Sequence, residues 1–209
     1  MTHNYKFYYF DVRGRGEVIR LLFHLDNVKF VDERIGMEEW PALKAEMPLN
    51  QVPVLDIDGV KIGETTAIAR FIGHQLRRAG SNPIECAKLD MIAEVIQSFL
   101  NKIGKWPPAI LGMIKEDKNQ IFKDTVIPAI ETFAPLVEKF LLENGNNGLF
   151  SGDRETWVDV FAAESFVKII DYGSPDALDA YPHILSLINR IFNIPSIKKY
   201  VASRKATPI

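Results

Sequence analysis

The sequence predicts an α+β chain in two parts, a mixed unit of strands and helices over residues 1–78 and an all-α unit over residues 84–209. Three observations predict it. Short β-rich runs alternate with helically periodic ones up to about residue 76. Residues 77–83, Arg-Arg-Ala-Gly-Ser-Asn-Pro, set a charge pair, a glycine and a proline between two periodic stretches, as a short linker does. No convincing strand pattern follows them.

Tyr5 to Phe10 (YKFYYF) is rich in aromatics and is stopped by Asp11 and the Gly14/Gly16 turn, which predicts the first strand. Glu17 to Phe23 carries apolar residues at helical spacing, with an acid in the first turn where the helix dipole favours one. Phe30 to Arg34 suits a second strand, and Met37 to Met47 a short helix interrupted near Pro41. Val52 to Ile62 holds two alternating apolar runs joined by Asp58-Gly59, a strong hairpin signal. Thr65 is expected to cap a helix reaching about Arg77. The order is βαβ, α, ββ, α.

Beyond the linker, Leu89, Ile92, Ala93, Ile96, Phe99, Leu100 and Ile103 form the apolar stripe of a long fourth helix, from Ile84 to about Gly104. Gln120 to Glu143 predicts another, kinked at Pro128 and Pro135. Asn144 to Gly148 is the clearest loop. Thr156-Trp157-Val158-Asp159 reads as a capping box with Asp in place of Glu, opening a buried central helix over about 156–171. Pro182 opens a helix from Tyr181 to about Phe192, and Ile194 to Arg204 supplies the last.

Composition narrows the function classes. The 209 residues are 47% hydrophobic and 25% charged, the balance of an ordinary globular protein. Twenty-five basic against 27 acidic residues leave a net charge of −2, without the basic excess a nucleic-acid binder needs. The single cysteine, Cys86, builds no disulfide and no cysteine-rich zinc site, and it suits a reducing compartment. The N-terminal residues lack a signal-peptide pattern, and no run approaches the ~18 apolar residues of a membrane span. A cytoplasmic protein that neither spans nor anchors in a membrane is expected. His3, His24, His74 and His183 are scattered and predict no metal site. Gly14-Arg15-Gly16 completes neither a phosphate loop nor a dinucleotide fingerprint.

An N-terminal βαβ, then a helix, then ββα, then an all-α extension is the order of a thioredoxin-like βαβαββα domain followed by a helical domain. The residues placed on it resemble the cytosolic glutathione transferases, and within them the sigma-type group, which includes helminth transferases and glutathione-dependent prostaglandin D synthases. The resemblance is carried by Tyr9-Phe10 before Arg13-Gly14-Arg15-Gly16-Glu17, by Asp32-Glu33-Arg34 and Glu39-Trp40-Pro41, and by Asn50 to Leu55 (NQVPVL). Glu64 to Arg70 (ETTAIAR) and Gly152 with Thr156 and Asp159 extend it along nearly the whole chain.

Elementary chemistry agrees. A glutathione thiol with a pKa near ~8.5 is mostly protonated at neutral pH, so an enzyme must stabilise its thiolate with donors. Tyr9 lies at the carboxyl end of the first strand, beside the start of the first helix and Arg15. The resemblance implies Tyr9 as the catalytic tyrosine, assisted by Arg15. Tyr8 is the alternative, and strand alternation sends it to the opposite face. The resemblance further implies Val52 pairing with the tripeptide backbone ahead of a cis Pro53, Gln51 beside them, and Glu64-Thr65 at a helix start receiving the γ-glutamyl end. It implies Trp40 and Lys44 reaching the glycine carboxylate.

No metal or cofactor is implied, glutathione being the co-substrate. The second substrate is a hydrophobic electrophile, expected in an apolar cleft near Val12, Arg13, Ile103, Trp106 and Pro107. No cysteine follows the first strand, which removes glutaredoxin-like exchange. A homodimer is implied. Sigma-type dimers reach the γ-glutamyl ammonium with an aspartate from the partner's fourth helix, and the matching position here, counted from Asp90, is Ser98. Glu64 is the favoured replacement; Glu94, one turn before Ser98, is the other, and Gln97 adjoins it. Alternative activities are glutathione-dependent prostaglandin isomerisation, or non-enzymatic carriage of apolar ligands on the same fold.

Overall fold

A computed structural model describes residues 3–207 and 209. Strand β1 (Tyr5–Phe10) leads through the loop at 11–16 into helix α1 (Glu17–Leu25), and strand β2 (Val31–Ile35) returns parallel to β1, with Tyr9 opposite Arg34. The second strand thus starts one residue later than expected. Phe30 is withdrawn from the ladder because its ring stacks on Phe23, centroids 4.5 Å apart.

Helix α2 (Trp40–Leu43) and a tighter turn at Lys44–Glu46 replace the expected interrupted helix. Pro41 sits in the first turn of α2, where its missing N–H has no partner to lose, so it opens the helix instead of breaking it. Strands β3 (Val54–Ile57) and β4 (Val60–Gly63) form the hairpin. Asp58 and Gly59 both take positive φ, 51° and 93°, as the two-residue turn demands. The sheet order is β2-β1-β3-β4, with β3 antiparallel to β1.

Helix α3 (Thr65–Gln75) corrects one expectation: its cap position is Glu64, not Thr65. Thr65 is already helical, and its hydroxyl donates to the Arg15 carbonyl at 3.3 Å. Asn82 accepts from the Ile84 and Glu85 amides at 3.0 Å each and starts α4 (Pro83–Lys102). Helix α5 (Trp106–Ile110) lies outside the expected elements; its prolines occupy the first turn, where their missing N–H groups have no partner to lose.

The helix expected at 120–143 is divided into α6 (Lys118–Ile121), a π-helical turn at Phe122–Val126, and α7 (Ile127–Glu143). Pro128 offers no N–H to the Asp124 carbonyl, and the widened turn precedes it. Pro135 is accommodated inside α7. Helices α8 (Trp157–Tyr172), α9 (Pro182–Phe192) and α10 (Pro195–Ser203) follow near their expected positions. The capping box of α8 is complete: Asp159 accepts from the Thr156 amide at 2.6 Å and from the Phe150 amide at 3.0 Å. No strand occurs after residue 63 among the described residues.

The sheet unit and the helical unit share one apolar core. Phe7, Leu21 and Leu22 of the first belong to the same buried cluster as Phe99, Phe161 and Phe166 of the second. Arginine side chains join the two units as well. Arg78 pairs with Asp26 while donating to the Glu155 carbonyl at 2.8 Å, and Arg204 reaches Glu17 at 2.7 Å.

Candidate active site

Along β1 the side chains alternate as pleating requires. Phe7 and Tyr9 are buried on one face, and Tyr8 points the other way, its ring 4.8 Å from Lys6 Nζ and 5.4 Å from Lys61 Nζ. The loop after β1 folds back over Tyr9. A Cβ on Gly14 would sit 2.5 Å from the Tyr9 hydroxyl, and one on Gly16 would strike the ring. Both positions need glycine for that approach, and Gly14 also takes φ +41°.

With the loop so close, the Arg15 backbone N–H donates to Tyr9 Oη at 2.8 Å. Burial pushes the Tyr9 pKa above the ordinary phenol value, against the Arg15 amide and the Arg15 and Arg20 charges, which pull it down. The phenol therefore keeps its proton near neutrality. Its oxygen is occupied as an acceptor, and its O–H is left to donate.

That hydroxyl borders a cavity of about 520 Å³ between the two units. Tyr9, Phe10, Val12 and Arg15 contribute from β1 and its loop, Trp40 from α2 and Thr65 from α3. Leu100 closes it from α4 and Ile103 from just after it, Trp106, Pro107 and Pro108 from α5, and Leu111 and Met113 just beyond. The lining is overwhelmingly apolar. Beside Arg15 and Thr65, its polar lining is Gln97 of α4 and Glu164, Ser165 and Lys168 of α8.

Of the residues expected in the cleft, Val12, Ile103, Trp106 and Pro107 line it. Arg13 does not. Its guanidinium is buried, held by Glu164 at 3.2 Å and Asp171 at 2.7 Å, and it is spent on joining the loop to α8. Of the residues expected around glutathione, Tyr9, Arg15, Trp40 and Thr65 share the cavity wall. Lys44, Gln51 and Glu64 are exposed outside it, Val52 is half-buried, and Pro53 is buried.

The Val52–Pro53 bond is cis. Glu64 holds φ 67° and ψ 120° at the junction of β4 and α3, a conformation rare for a residue with a side chain and one that collects at ligand sites. Ser98 and Glu94 are both exposed on α4. Cys86 is half-buried in the first turn of that helix. The histidines do not converge: His3 contacts Asp58, His183 contacts Glu138, and His24 stacks on Tyr200. Among the described residues no group of three possible ligands could hold a metal.

Glu164, Ser165 and Lys168 were missed in the sequence. The signal was present: an acid and a base four apart inside the otherwise apolar run WVDVFAAESFVKII must be paired or functional.

A four-stranded thioredoxin-like unit, fused to an all-α unit and meeting it at an apolar cavity with a buried tyrosine in its wall, defines a glutathione-using transferase. Comparison with known proteins gives the same class. A family model described as the glutathione S-transferase N-terminal domain matches residues 5–74, and one described as the C-terminal domain matches residues 108–204. The chain is 71% identical over its whole length to the whole of the probable glutathione S-transferase gst-36 of Caenorhabditis elegans.

Among solved structures, monomeric Na-GST-3, a glutathione S-transferase from Necator americanus, superposes with a TM-score of 0.93 at 33% identity, covering 99% of this chain and 100% of that one. Prostaglandin synthase D of Nilaparvata lugens does so with a TM-score of 0.84 at 29% identity, covering 97% and 100%. The chain belongs to the glutathione S-transferase family. It is an enzyme, a transferase that conjugates glutathione.

Proposed function

We propose that this enzyme joins the glutathione sulfur to hydrophobic electrophiles, with the thiolate held by the Tyr9 hydroxyl. The observation that carries the reading is the Arg15 N–H on Tyr9 Oη at 2.8 Å, which turns the phenolic proton outward as a donor beside the apolar cavity. In the step itself the thiol proton leaves to water. A sulfur lone pair then forms the C–S bond as the electrophile's leaving group departs with its electron pair, or as a double bond accepts them. Tyr9 donates its hydrogen bond throughout and does not abstract the proton.

Glutathione lies along the sheet unit in this reading. Val52 supplies backbone pairing, with Gln51 and Pro53 beside it. Glu64 takes the γ-glutamyl ammonium, and Thr65 with the α3 amides takes its carboxylate. Trp40 and Lys44 hold the glycine carboxylate, and Arg15 lies near the sulfur. The electrophile occupies the space between Val12, Ile103, Trp106 and Pro107. Glutathione is the co-substrate, and the reaction needs no metal or prosthetic group.

Turnover of an aryl halide tests this. Tyr9→Phe should lower kcat by roughly 10 to 1,000-fold with glutathione affinity nearly unchanged, and Tyr8→Phe should do neither. The reverse pattern would overturn the assignment. The likeness to a prostaglandin synthase favours one second activity, glutathione-dependent isomerisation of a prostaglandin endoperoxide, assayed in parallel.

Detoxification in the cytoplasm fits a chain with one cysteine, and no helix is long and apolar enough to cross a membrane among the described residues. Homodimerisation is supported by large exposed apolar side chains, Leu49 and Val60 on the sheet unit and Met91 on α4. Light scattering at twice the 23.7 kDa of one chain would bear it out. A mass of one chain, as in the relative described as monomeric, would overturn it.

A further inference from the structure

Lys168 is half-buried on α8, in the wall of the cavity that Tyr9 also lines, and its ammonium has two partners. It pairs with Glu164 at 3.2 Å and donates to the carbonyl of Gly14. That carbonyl belongs to the peptide unit whose N–H, carried by Arg15, donates to Tyr9 Oη. Cation, peptide and phenol therefore form one continuous chain of donors pointing at the cavity.

We propose that Lys168 is a positioning residue for the conjugation reaction, whose ammonium holds and polarises the Gly14–Arg15 peptide so that Tyr9 donates more strongly to the glutathione thiolate. The inference rests on Tyr9 as the thiolate donor. Hydrogen bonds in series polarise one another, and a charge at the head of the series inside a low-dielectric site acts more strongly than one in water. A cation drawing on the carbonyl oxygen makes the amide N–H a better donor, which makes the phenol O–H a better donor in turn. The same bond fixes the peptide plane. Without it the Gly14 carbonyl loses its cation, while the Arg13 ion pairs and the Thr65 hydroxyl on the Arg15 carbonyl still hold the rest of the loop.

The setting suits the role. Burial lowers the Lys168 pKa, and Glu164 counters it. Burial opposes the Glu164 charge too, yet Lys168 and Arg13 together hold that carboxyl below the ordinary range. The charged groups facing Lys168 are thus Glu164, Arg13 and, at longer range, Glu17. Glu164 keeps Arg13 as a partner when Lys168 is removed, with contacts of 3.2 and 3.3 Å, so no carboxylate is stranded.

The test is the pKa of enzyme-bound glutathione, read from thiolate ultraviolet absorbance in the parent, Lys168→Met and Tyr9→Phe proteins. Lys168→Met should raise that pKa by about one unit and lower kcat about tenfold at neutral pH, with the rate recovering at alkaline pH. Its KM for glutathione should stay within about twofold of the parent, because the tripeptide's own contacts are untouched. A bound-thiol pKa that rises in Tyr9→Phe but not in Lys168→Met would overturn the role of Lys168 and leave that of Tyr9 standing. A pKa that moves in neither would overturn Tyr9 as donor, and this inference with it. If Lys168→Met does not fold, Lys168→Gln, which keeps a donor for Glu164 without the charge, is read by the same outcomes.

Discussion

Tyr9 receives the Arg15 amide at 2.8 Å because Gly14 and Gly16 let the loop lie against its ring. Adding a methyl at position 16 drives it into that ring, so Gly16→Ala should displace the phenol and lower kcat by roughly tenfold or more. Full turnover in that variant would show that Tyr9 tolerates displacement. Lys44→Ala should instead raise the KM for glutathione about tenfold with kcat nearly unchanged, since a carboxylate far from sulfur is held equally in ground and transition states. A kcat loss at constant KM would sink that assignment. Glu64→Gln should weaken glutathione binding about tenfold by removing a charge-assisted contact, and adding Ser98→Asp should recover most of it. Equal binding by Glu64→Gln and the parent, measured calorimetrically, would refute the compensation. Tyr9, Gly14 and Gly16 were legible because strand, turn and donor lie within eight consecutive residues. Lys168 is marked in the sequence only as a base four residues from Glu164 in an apolar run; its backbone partner, 154 positions away, is not, because no side-chain pattern marks a carbonyl. Arg13 misled for a related reason: its neighbours in sequence are in the site, while its ion-pair partners are on α8.

Elements show the same division between local and distant causes. The α8 capping box is four residues long, and its sequence was enough to foretell it. Asp159→Ala removes acceptors for the buried Thr156 and Phe150 amides and should destabilise the fold by about 2 kcal/mol or more. Burial pushes the Asp159 carboxyl up to about 6, against the hydrogen bonds from Thr156 and Phe150. A group whose folded pKa lies above its unfolded one contributes stability in full below the unfolded value and loses it as pH rises through the folded one. The loss on Asp159→Ala should therefore be larger near about pH 4 than near about pH 7, by denaturant titration at both. A loss that grew with pH would contradict the sign. Thr65 was misread as a cap because propensity marks Thr as one. The strained turn at Glu64 moves the helix start by a residue and turns the Thr65 hydroxyl toward the Arg15 carbonyl. The short α5 packs against α6, a tertiary contact that periodicity alone does not encode.

Across the whole molecule the two units are not independent bodies. They share one apolar core, and ion pairs and hydrogen bonds of Arg13, Arg78 and Arg204 tie the first unit to the second. Thermal unfolding followed by tryptophan fluorescence and by circular dichroism should give one coincident transition, and two separated ones would deny that coupling. The division of the chain was readable because the strand patterns stop at the linker. The cavity between the units was not, because it takes walls from α2, α4, α5 and α8 at once. The roles proposed for Tyr9, Arg15 and Lys168 converge on the sulfur of bound glutathione. Its ionisation, titrated by thiolate absorbance in the parent and in Tyr9→Phe, is therefore the decisive measurement. A bound pKa well below the ~8.5 of a free thiol in the parent, returning toward it in Tyr9→Phe, is the expected result. The same pKa in both proteins would contradict the account.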